Sequence, residues 1–227
     1  MEDHEPPLES GQPRVARLHW PLFDLVVRTP LLELRHPDDE MCARLADVAS
    51  PEMFPGGENQ FRLDWVSEPP TERRRRTMQW YWRARATISP ESWLLTLAVV
   101  VGGQVAGVQD LHAERFAALR SVTTGSWLSR NFQGRGLGTE MRLAVLHLAF
   151  VGLGAHEAHS SAFETNLASI AVSRRLGYDD NGEDMDMRGE VPGRSLKFRM
   201  TRHSFESRQR HDIEIEHLDA CLPLLGL

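Results

Sequence analysis

The sequence contains few cysteines and no long hydrophobic segment. Its two cysteines, Cys42 and Cys221, are far apart and lack the spacing of metal ligands, so we expect reduced thiols rather than disulfides or a metal site. The longest apolar runs, near residues 93–101 and 143–151, are too short to span a bilayer. Residues 1–12 are acidic and contain prolines, unlike a signal peptide. These absences predict a cytoplasmic protein with no membrane contact and no metal.

The overall composition predicts one globular domain. The chain has 227 residues, 41% of them hydrophobic, which is enough for a sizeable core. No internal repeat is visible, and the net charge of -6 disfavours nucleic acid as a partner. We predict a flexible tail over residues 1–17, a single domain over 18–205 and a C-terminal extension over 206–227. The extension is too apolar to remain free, so it should dock on its own domain or on a second copy in a homodimer.

The hydrophobic pattern predicts an α/β fold. Residues 37–48 and 71–86 begin with proline or acidic residues, as helices do, and an apolar segment indicates a buried helix over 139–151. Gly102-Gly103 is typical of a hairpin turn, and Asn181-Gly182 is predicted as a turn on a charged hairpin rim. The element order predicts a mixed, mainly antiparallel central sheet flanked by helices, with strands at 25–27, 31–34, 94–101, 105–111, 122–128, 158–163, 178–188 and 196–201.

A glycine-rich loop precedes the apolar helix, with the sequence Gln133-Gly134-Arg135-Gly136-Leu137-Gly138-Thr139. Glycines at alternate positions free the backbone to direct its N–H groups toward one point, where the helix N-terminus also attracts an anion. A Walker loop would need Gly-Lys-Ser/Thr, and the dinucleotide-binding fingerprint would need a glycine at Thr139. The remaining pattern, Gln-x-x-Gly-x-Gly, predicts a binding site for a diphosphate.

This loop resembles the coenzyme A pyrophosphate loop of the GNAT family of N-acyltransferases. A second segment supports the resemblance, because residues 166–178 are similar to the family's Asn-x-x-Ala/Ser helix that ends in Leu-Gly-Phe/Tyr. The serine at its fourth position, Ser169, is typical of the RimJ/RimL-like branch, whose best-known members acylate protein N-termini. The likeness is strongest over residues 121–180. Through residues 125–128 and 138–142, which end in Arg142, the chain most resembles a bacterial subgroup that includes members described as succinyl-CoA users.

The resemblance implies a set of residues that bind the acyl donor, either acetyl-CoA or succinyl-CoA. Backbone amides of the glycine loop would contact the pyrophosphate, with the Arg135 side chain directed outward. Asn166 matches the family asparagine that binds the pantetheine amide, although its place before Leu167 also suits a helix N-cap. The remaining donor-binding residues lie on the strand beside the pantetheine arm and in the loop: Trp127, Leu128, Ser129, Gln133, Gly134, Gly136, Leu137, Gly138 and Thr139, with Ser169 on the helix.

The residues for proton transfer are less clearly marked. Many GNAT enzymes carry a tyrosine acid seven residues after the helix asparagine, where this chain has Ser173. The branch implies Ser169 as the group that protonates the leaving thiolate. The strand region 121–130 contains no carboxylate, so Asp110, with His112 on the same strand face, is the candidate base, acting through water; Glu164 is a further candidate. Each of these groups is also compatible with a structural or solvated role.

Two functions therefore remain open at the level of the sequence. The first is an N-acyltransferase that acts on a protein N-terminus, a small amine or a lysine. An α-amine titrates near 8 and needs less help from a base than a lysine does. The second is a non-catalytic acyl-CoA-binding regulatory module. The arginine run 73–76 beside aromatic residues is predicted to be a solvated helix face, or alternatively part of an acceptor groove.

Overall fold

The computed structural model describes residues 14–54 and 58–227. Most of the predicted N-terminal tail, residues 1–13, and the predicted loop glycines Gly56 and Gly57 lie outside this part of the chain. The end of the predicted tail is helical instead, because helix α1 covers Arg14–His19. Arg17 in this helix forms an ion pair with Asp24, which gives the segment a fixed contact with the domain.

Nine strands of the described chain form one sheet, in the order β7-β8-β6-β5-β4-β3-β2-β1-β9. Each neighbouring pair is antiparallel except β5 and β6, which are parallel. This arrangement confirms the predicted mixed, mainly antiparallel sheet. The strands are β1 Val26–Arg28, β2 Glu33–Arg35, β3 Ser92–Val101, β4 Gln104–Glu114, β5 Ser121–Leu128, β6 Glu157–Phe163, β7 Asp179–Arg188, β8 Val191–Thr201 and β9 Glu214–Glu216.

Helices cover both faces of the sheet. Helices α2 (Asp39–Val48) and α3 (Pro70–Ala86) pack on one face through side chains such as Leu45 and Tyr81, and α5 (Leu137–His147) lies in the larger core on the other face. Asp38 starts α2 as its N-cap, because its carboxylate accepts from the Met41 amide at 2.8 Å. The remaining helices are α4 Phe116–Leu119, α6 Leu167–Leu176 and α7 Arg202–Glu206, and short 3-10 turns occupy Pro21–Asp24, Pro51–Met53, Arg130–Phe132 and Asp219–Leu225.

Two predicted boundaries are wrong. The apolar helix does not continue unbroken to residue 151, because α5 ends at His147 and a π-helical turn follows over Leu148–Gly152. Asn181-Gly182 does not form a hairpin turn. It lies within β7, where the register with β8 shifts between Asp180 and Glu183, and the chain reverses at Gly189-Glu190 instead. A glycine with positive φ can absorb such a bulge as readily as it can form a turn, so the dipeptide alone does not distinguish the two.

The C-terminal extension packs on the same domain. Strand β9 pairs with β1, the side chains of Ile213, Cys221 and Leu225 are buried, and the Trp93 indole donates to the Leu225 carbonyl at 3.3 Å. Within residues 14–54 and 58–227, no helix has the length and apolar character needed to cross a membrane. The same residues contain no cluster of three or more potential metal ligands.

Buried His36 makes the stability of this fold depend on pH. One ring nitrogen lies 3.1 Å from the Thr96 carbonyl, and the other accepts from the Trp20 indole at 3.2 Å. Burial, and after it the nearby Arg85 charge, lower the pKa of His36 to about 3. The unfolded chain binds a proton at this histidine below about pH 6.5, whereas the folded chain does not. We therefore expect the contribution of His36 to the free energy of unfolding to fall by up to about 1.4 kcal/mol per pH unit as the pH drops from 6.5 toward 3.

Urea unfolding at pH 7.5, 6 and 5 measures this effect. His36→Gln should remove the part of the slope that His36 causes, whereas the control His203→Gln, at an exposed position, should keep it. An unchanged slope in His36→Gln would show that other groups control the acid sensitivity.

Candidate functional site

The glycine loop forms an open candidate anion-binding site in front of α5. Gly134 and Gly136 adopt φ values of 71° and 81°, and a β-carbon at either position would meet no atom within 4 Å. Across the described residues, the backbone amides of residues 134–138 have no hydrogen-bond acceptor, and no side chain caps the helix. Unpaired amides at a helix N-terminus favour a negatively charged group. The geometry therefore fits the diphosphate predicted from the glycine spacing.

Side chains around the loop hold it in place. The Gln133 side-chain amide donates to the carbonyls of Met53 at 2.7 Å and Leu128 at 2.8 Å, so Gln133 ties the loop to β5 and to the segment after α2. Arg135 lies over the Phe132 ring at 5.8 Å. These contacts give Gln133 a bracing position, whereas the exposed glycine backbone faces the open space.

A gap opens in the sheet next to the loop. Strands β5 and β6 pair only from Ser121 to Thr123, opposite Glu157 to His159. Beyond this point β5 continues along β4 as far as Leu128, and β6 continues along β8. One edge of β5 is therefore free of strand partners over residues 124–128, and it leads directly toward the glycine loop. An extended ligand can run along such an edge by accepting and donating main-chain hydrogen bonds.

The residues predicted to flank the pantetheine arm present backbone rather than side chains at this edge. As whole residues, Trp127, Leu128 and Ser129 are 9%, 8% and 7% exposed. Trp127 packs into the cluster below α2 and α3, Leu128 packs toward α5, and the Ser129 amide donates to the Ala106 carbonyl at 2.8 Å. The main chain of β5 is thus held rigidly by its neighbours.

Asn166 and Ser169 lie at the start of α6, just after β6. The Asn166 side-chain oxygen accepts from the Ser169 amide at 3.1 Å, so Asn166 is a helix N-cap. Its amide nitrogen donates to no group in the described part of the chain. That nitrogen remains available to a ligand, and capping and ligand binding are therefore compatible. Ser169 is partly exposed on the first turn of the same helix.

Asp110 lies on the sheet face covered by α3. In the β-sheet register it is opposite Gly125 on β5 and Thr96 on β3. Burial raises the pKa of Asp110 to about 7, and the Thr96 hydroxyl opposes this rise only in part. The nearby Asp110 carboxylate and burial both raise the pKa of Tyr81 on α3. A carboxyl group that titrates near neutral pH is suited to accept a proton during a reaction.

The other candidates for proton transfer differ in environment. His112 is partly exposed on the same strand face as Asp110, and Glu164 is exposed and paired with Arg194 at 3.1 Å. Ser173, at the place of the family tyrosine, is fully buried, and its hydroxyl has no partner among the described groups. Asp110 therefore combines partial burial, a raised pKa and a position on β4 directly opposite Gly125 of β5.

The arginine run on α3 is paired with neighbouring groups. Arg73 donates to the carbonyls of Ala49, Val66 and Glu68. Arg74, Arg75 and Arg76 form ion pairs with Asp47, Glu72 and Glu68. The solvated helix face that the sequence predicted explains these residues, and Tyr81 is the residue of α3 that approaches Asp110.

One charged group at this site received no role from the sequence, although it lies in residues 138–142, which carry part of the family likeness. Arg142 on α5 is only 3% exposed, and it donates to the hydroxyls of Ser160 on β6 at 2.8 Å and Ser126 on β5 at 3.1 Å. Its side chain thus spans the gap between the two strands from below. Residues 139–151 are mostly apolar, so their sequence predicts a buried helix and draws attention away from a charged side chain within it. A single arginine within that pattern was the available signal.

Comparison with known proteins agrees with this geometry. The family model described as an acetyltransferase (GNAT) domain matches residues 32–179, more than half of the chain. Among solved structures, the chain is similar to RimJ of Mycobacterium smegmatis in complex with CoA-disulfide, at 17% identity over 85% of this chain and 97% of that one, with a TM-score of 0.64.

Two further structures show the same fold. RimL, a ribosomal alpha-N-protein acetyltransferase in complex with coenzyme A, has 19% identity over 78% of this chain and 97% of its own, with a TM-score of 0.61. A GCN5-related N-acetyltransferase from Brucella melitensis has 20% identity over 80% of each chain, with a TM-score of 0.63. The family resemblance predicted from the glycine loop and residues 166–178 is confirmed. This protein belongs to the GNAT acetyltransferase family of transferase enzymes.

Proposed function

We propose that the protein transfers an acyl group from acyl-CoA to an amine, by direct attack within a ternary complex. The observation that carries the proposal is the row of unpaired amides over residues 134–138, which leads into the gap between β5 and β6. A diphosphate bound to these amides would place the extended thioester arm of the donor in the gap between β5 and β6. Asp110 lies one strand away from that arm, on the α3 side of the sheet.

The donor-binding roles follow from which backbone and side-chain groups have no hydrogen-bond partner in the described part of the chain. Gly134, Gly136 and Gly138 provide close backbone approach, and the amides of Leu137 and its neighbours would donate to the phosphates. The main chain of Trp127, Leu128 and Ser129 would line the pantetheine arm. Asn166 would donate its free amide nitrogen to the arm while its oxygen caps α6. Gln133 supports the loop from behind, and Arg135 and Thr139 lie at its outer rim.

The reaction needs the acceptor amine to lose a proton. In the proposed scheme Asp110, directly or through water, removes a proton from the ammonium, and the neutral nitrogen attacks the thioester carbonyl carbon. The C–N bond forms, the C–S bond breaks and coenzyme A leaves as a thiolate. The attacking nitrogen, which is positively charged after the attack, loses its second proton to that thiolate, and the Ser169 hydroxyl would relay this proton or donate a hydrogen bond to the sulfur. A pKa near 7 at Asp110 matches this task at neutral pH.

The acceptor we favour is a protein N-terminus, with small amines and lysine as the other classes. An α-amine, with a pKa near 8, gives up its proton to a group of pKa about 7 at small cost, whereas a lysine does so with more difficulty. RimL, which shares the fold, is described as an alpha-N-protein acetyltransferase.

We propose that the reaction takes place in the cytoplasm, since the two cysteines are unpaired and buried. The proposed assemblies are a monomer and a homodimer.

One observation supports the alternative of a non-catalytic acyl-CoA-binding module. The family's tyrosine acid is replaced by Ser173, which is fully buried and therefore has no access to a leaving thiolate. If Ser169 cannot take over this task, the protein would bind the donor without transferring the acyl group.

Coenzyme A release separates the two functions. The full chain is incubated with acetyl-CoA or succinyl-CoA and a panel of N-terminal peptides, polyamines and lysine peptides, and free thiol is measured. The proposal expects acceptor-dependent thiol release, fastest with an α-amine. Donor binding by calorimetry without turnover on any acceptor would favour the regulatory module, and no donor binding would refute both.

A further inference from the structure

Gly125 is a glycine within strand β5 that the fold itself does not require. Its φ is negative, which is a conformation that other residues adopt freely, and the register of β5 with β4 has no bulge between Thr123 and Leu128. Among the described atoms, an added β-carbon would meet only Asp110, at 3.9 Å, which is an ordinary van der Waals distance. Because glycine weakens a strand, its presence here indicates a cause outside the fold.

Gly107 on the neighbouring strand β4 is a structural glycine and provides a contrast. A β-carbon on Gly107 would collide with the carbonyl oxygen of Trp127 on β5. The close approach of the two strands therefore explains Gly107, whereas no described backbone atom would lie within 4 Å of a β-carbon on Gly125. A strand glycine without a bulge or a close backbone contact indicates that a ligand approaches the strand at this point.

The space above Gly125 connects Asp110 with the gap in the sheet. The two residues are partners in the register of β4 and β5, so they share the face on which α3 lies. Oδ1 of Asp110 is buried and has no partner among the described groups, and Oδ2 is the oxygen 3.9 Å from an added β-carbon on Gly125. On the other side, β5 and β6 pair only as far as Thr123. Only main chain therefore separates Asp110 from the gap that contains the thioester in the proposed function.

This space is closed at one end and open at the other. Toward the glycine loop, Trp127 lies two residues further on the same face, and its ring centroid is 6.4 Å from that of Trp65. In the opposite direction, Thr123 lies on the same face and is exposed to solvent. An acceptor can therefore enter over Thr123 and place its nitrogen beside Asp110, above Gly125.

We propose that Gly125 is a specificity-determining residue, which leaves room for the substituent on the carbon that carries the acceptor amine. The inference rests on the proposed function, because it concerns the acceptor of the same reaction. When Asp110 holds the nitrogen, the attached carbon lies above Gly125, where a β-carbon would occupy the adjacent volume. The enzyme therefore accepts an amine on a branched carbon, as in a peptide that begins with alanine. Gly125→Ala restricts it to an amine on an unbranched carbon, as in a peptide that begins with glycine.

Acyl transfer by the full chain to two matched peptides tests this assignment. The peptides are identical except for an N-terminal alanine or glycine, the donor is acetyl-CoA or succinyl-CoA, and free thiol is measured. We expect Gly125→Ala to lower kcat/KM for the alanine peptide at least about 10-fold more than for the glycine peptide, as is usual for one misplaced methyl group in a pocket. Its affinity for free coenzyme A should stay within about 3-fold, since the glycine loop is unchanged. Its melting temperature should be equal or higher, because alanine restricts the unfolded chain.

The ratio of the two kcat/KM values separates a specificity role from a structural one. The control Ala118→Val adds methyl groups at an exposed position of α4 and should leave this ratio unchanged. An unchanged ratio in Gly125→Ala, whether both activities persist or fall together, would overturn the assignment. A wild type that acylates only amines on unbranched carbons would overturn it as well. A wild type that transfers the acyl group to no amine would instead refute the proposed function.

Discussion

Gly136→Val is expected to lower the affinity for coenzyme A at least 100-fold while the domain remains folded. Gly136 precedes α5 with φ of 81°, in open space in front of the helix. A branched side chain there would occupy the proposed phosphate position and prevent the amides from reaching the phosphate oxygens. Each hydrogen bond to a charged group contributes roughly 1.5–3 kcal/mol, so loss of two corresponds to about 100-fold or more. Isothermal calorimetry with free coenzyme A measures the change.

Gly103→Val is a matched control for the backbone strain. Gly103 lies in the β3–β4 hairpin with φ of 82° and also has no atom within 4 Å of an added β-carbon. Valine at a left-handed position costs on the order of 1–3 kcal/mol in either place, so both variants should lose similar thermal stability. Only Gly136→Val should lose coenzyme A. Equal affinity in the two variants would show that the phosphates bind elsewhere.

The fold and the open glycine loop before α5 could be predicted from the sequence because their signals are local. The glycine spacing around Gly136, the acidic start of α2 and the Gly102-Gly103 turn each depend on a few adjacent residues. The end of α5 could not be located in this way, because the π-helical turn at Leu148–Gly152 packs against the C-terminal extension, which is distant in sequence. A side chain at Gly152 would meet Leu218 and Ile215 of that extension.

The chemistry of the site depends on contacts that the sequence does not encode locally. Asp110 was identified by its strand periodicity, but its raised pKa results from burial under α3. Gln133 belongs to the family motif, yet its contact with Met53 joins residues 80 positions apart. Arg142 lies within the apolar pattern of α5, and only the structure shows that its guanidinium contacts Ser126 on β5 and Ser160 on β6. The sequence of a helix predicts which of its residues are buried, but it does not predict which groups a buried charged side chain contacts.

Asp110→Asn is expected to lower kcat/KM by 10²- to 10⁴-fold, the usual contribution of a general base, with little change in donor affinity. The wild-type kcat/KM should rise with pH through an apparent pKa near 7, because only the ionised carboxylate accepts a proton. The variant should lose this rise. As a matched control, Asp184→Asn removes an exposed carboxylate that pairs with Lys197 and should leave the profile unchanged.

The stability of Asp110→Asn distinguishes a catalytic carboxylate at this position from a structural one. Folding raises the pKa of Asp110 from 3.8 to about 7, so the folded chain favours the protonated form. The contribution of Asp110 to the free energy of unfolding then falls as the pH rises from about 4 through 7, by up to about 1.4 kcal/mol per unit, and it is opposite in sign to the contribution of His36 over this range. Asparagine carries no charge, so Asp110→Asn should be the more stable protein at pH 8, by on the order of 2–4 kcal/mol, and the difference should vanish near pH 4.

A carboxylate kept for structural reasons would behave in the opposite way. If Asp110 stabilised the domain, its replacement would lower the melting temperature at pH 8, and activity would fall in proportion to the folded fraction. Loss of turnover together with a gain in melting temperature is instead the signature of a buried charge that is retained at a cost in stability because the reaction needs it. Thermal unfolding and acyl transfer measured on the same samples at pH 4, 6 and 8 give both quantities. A variant that is less stable at pH 8 would remove Asp110 from the proposed mechanism.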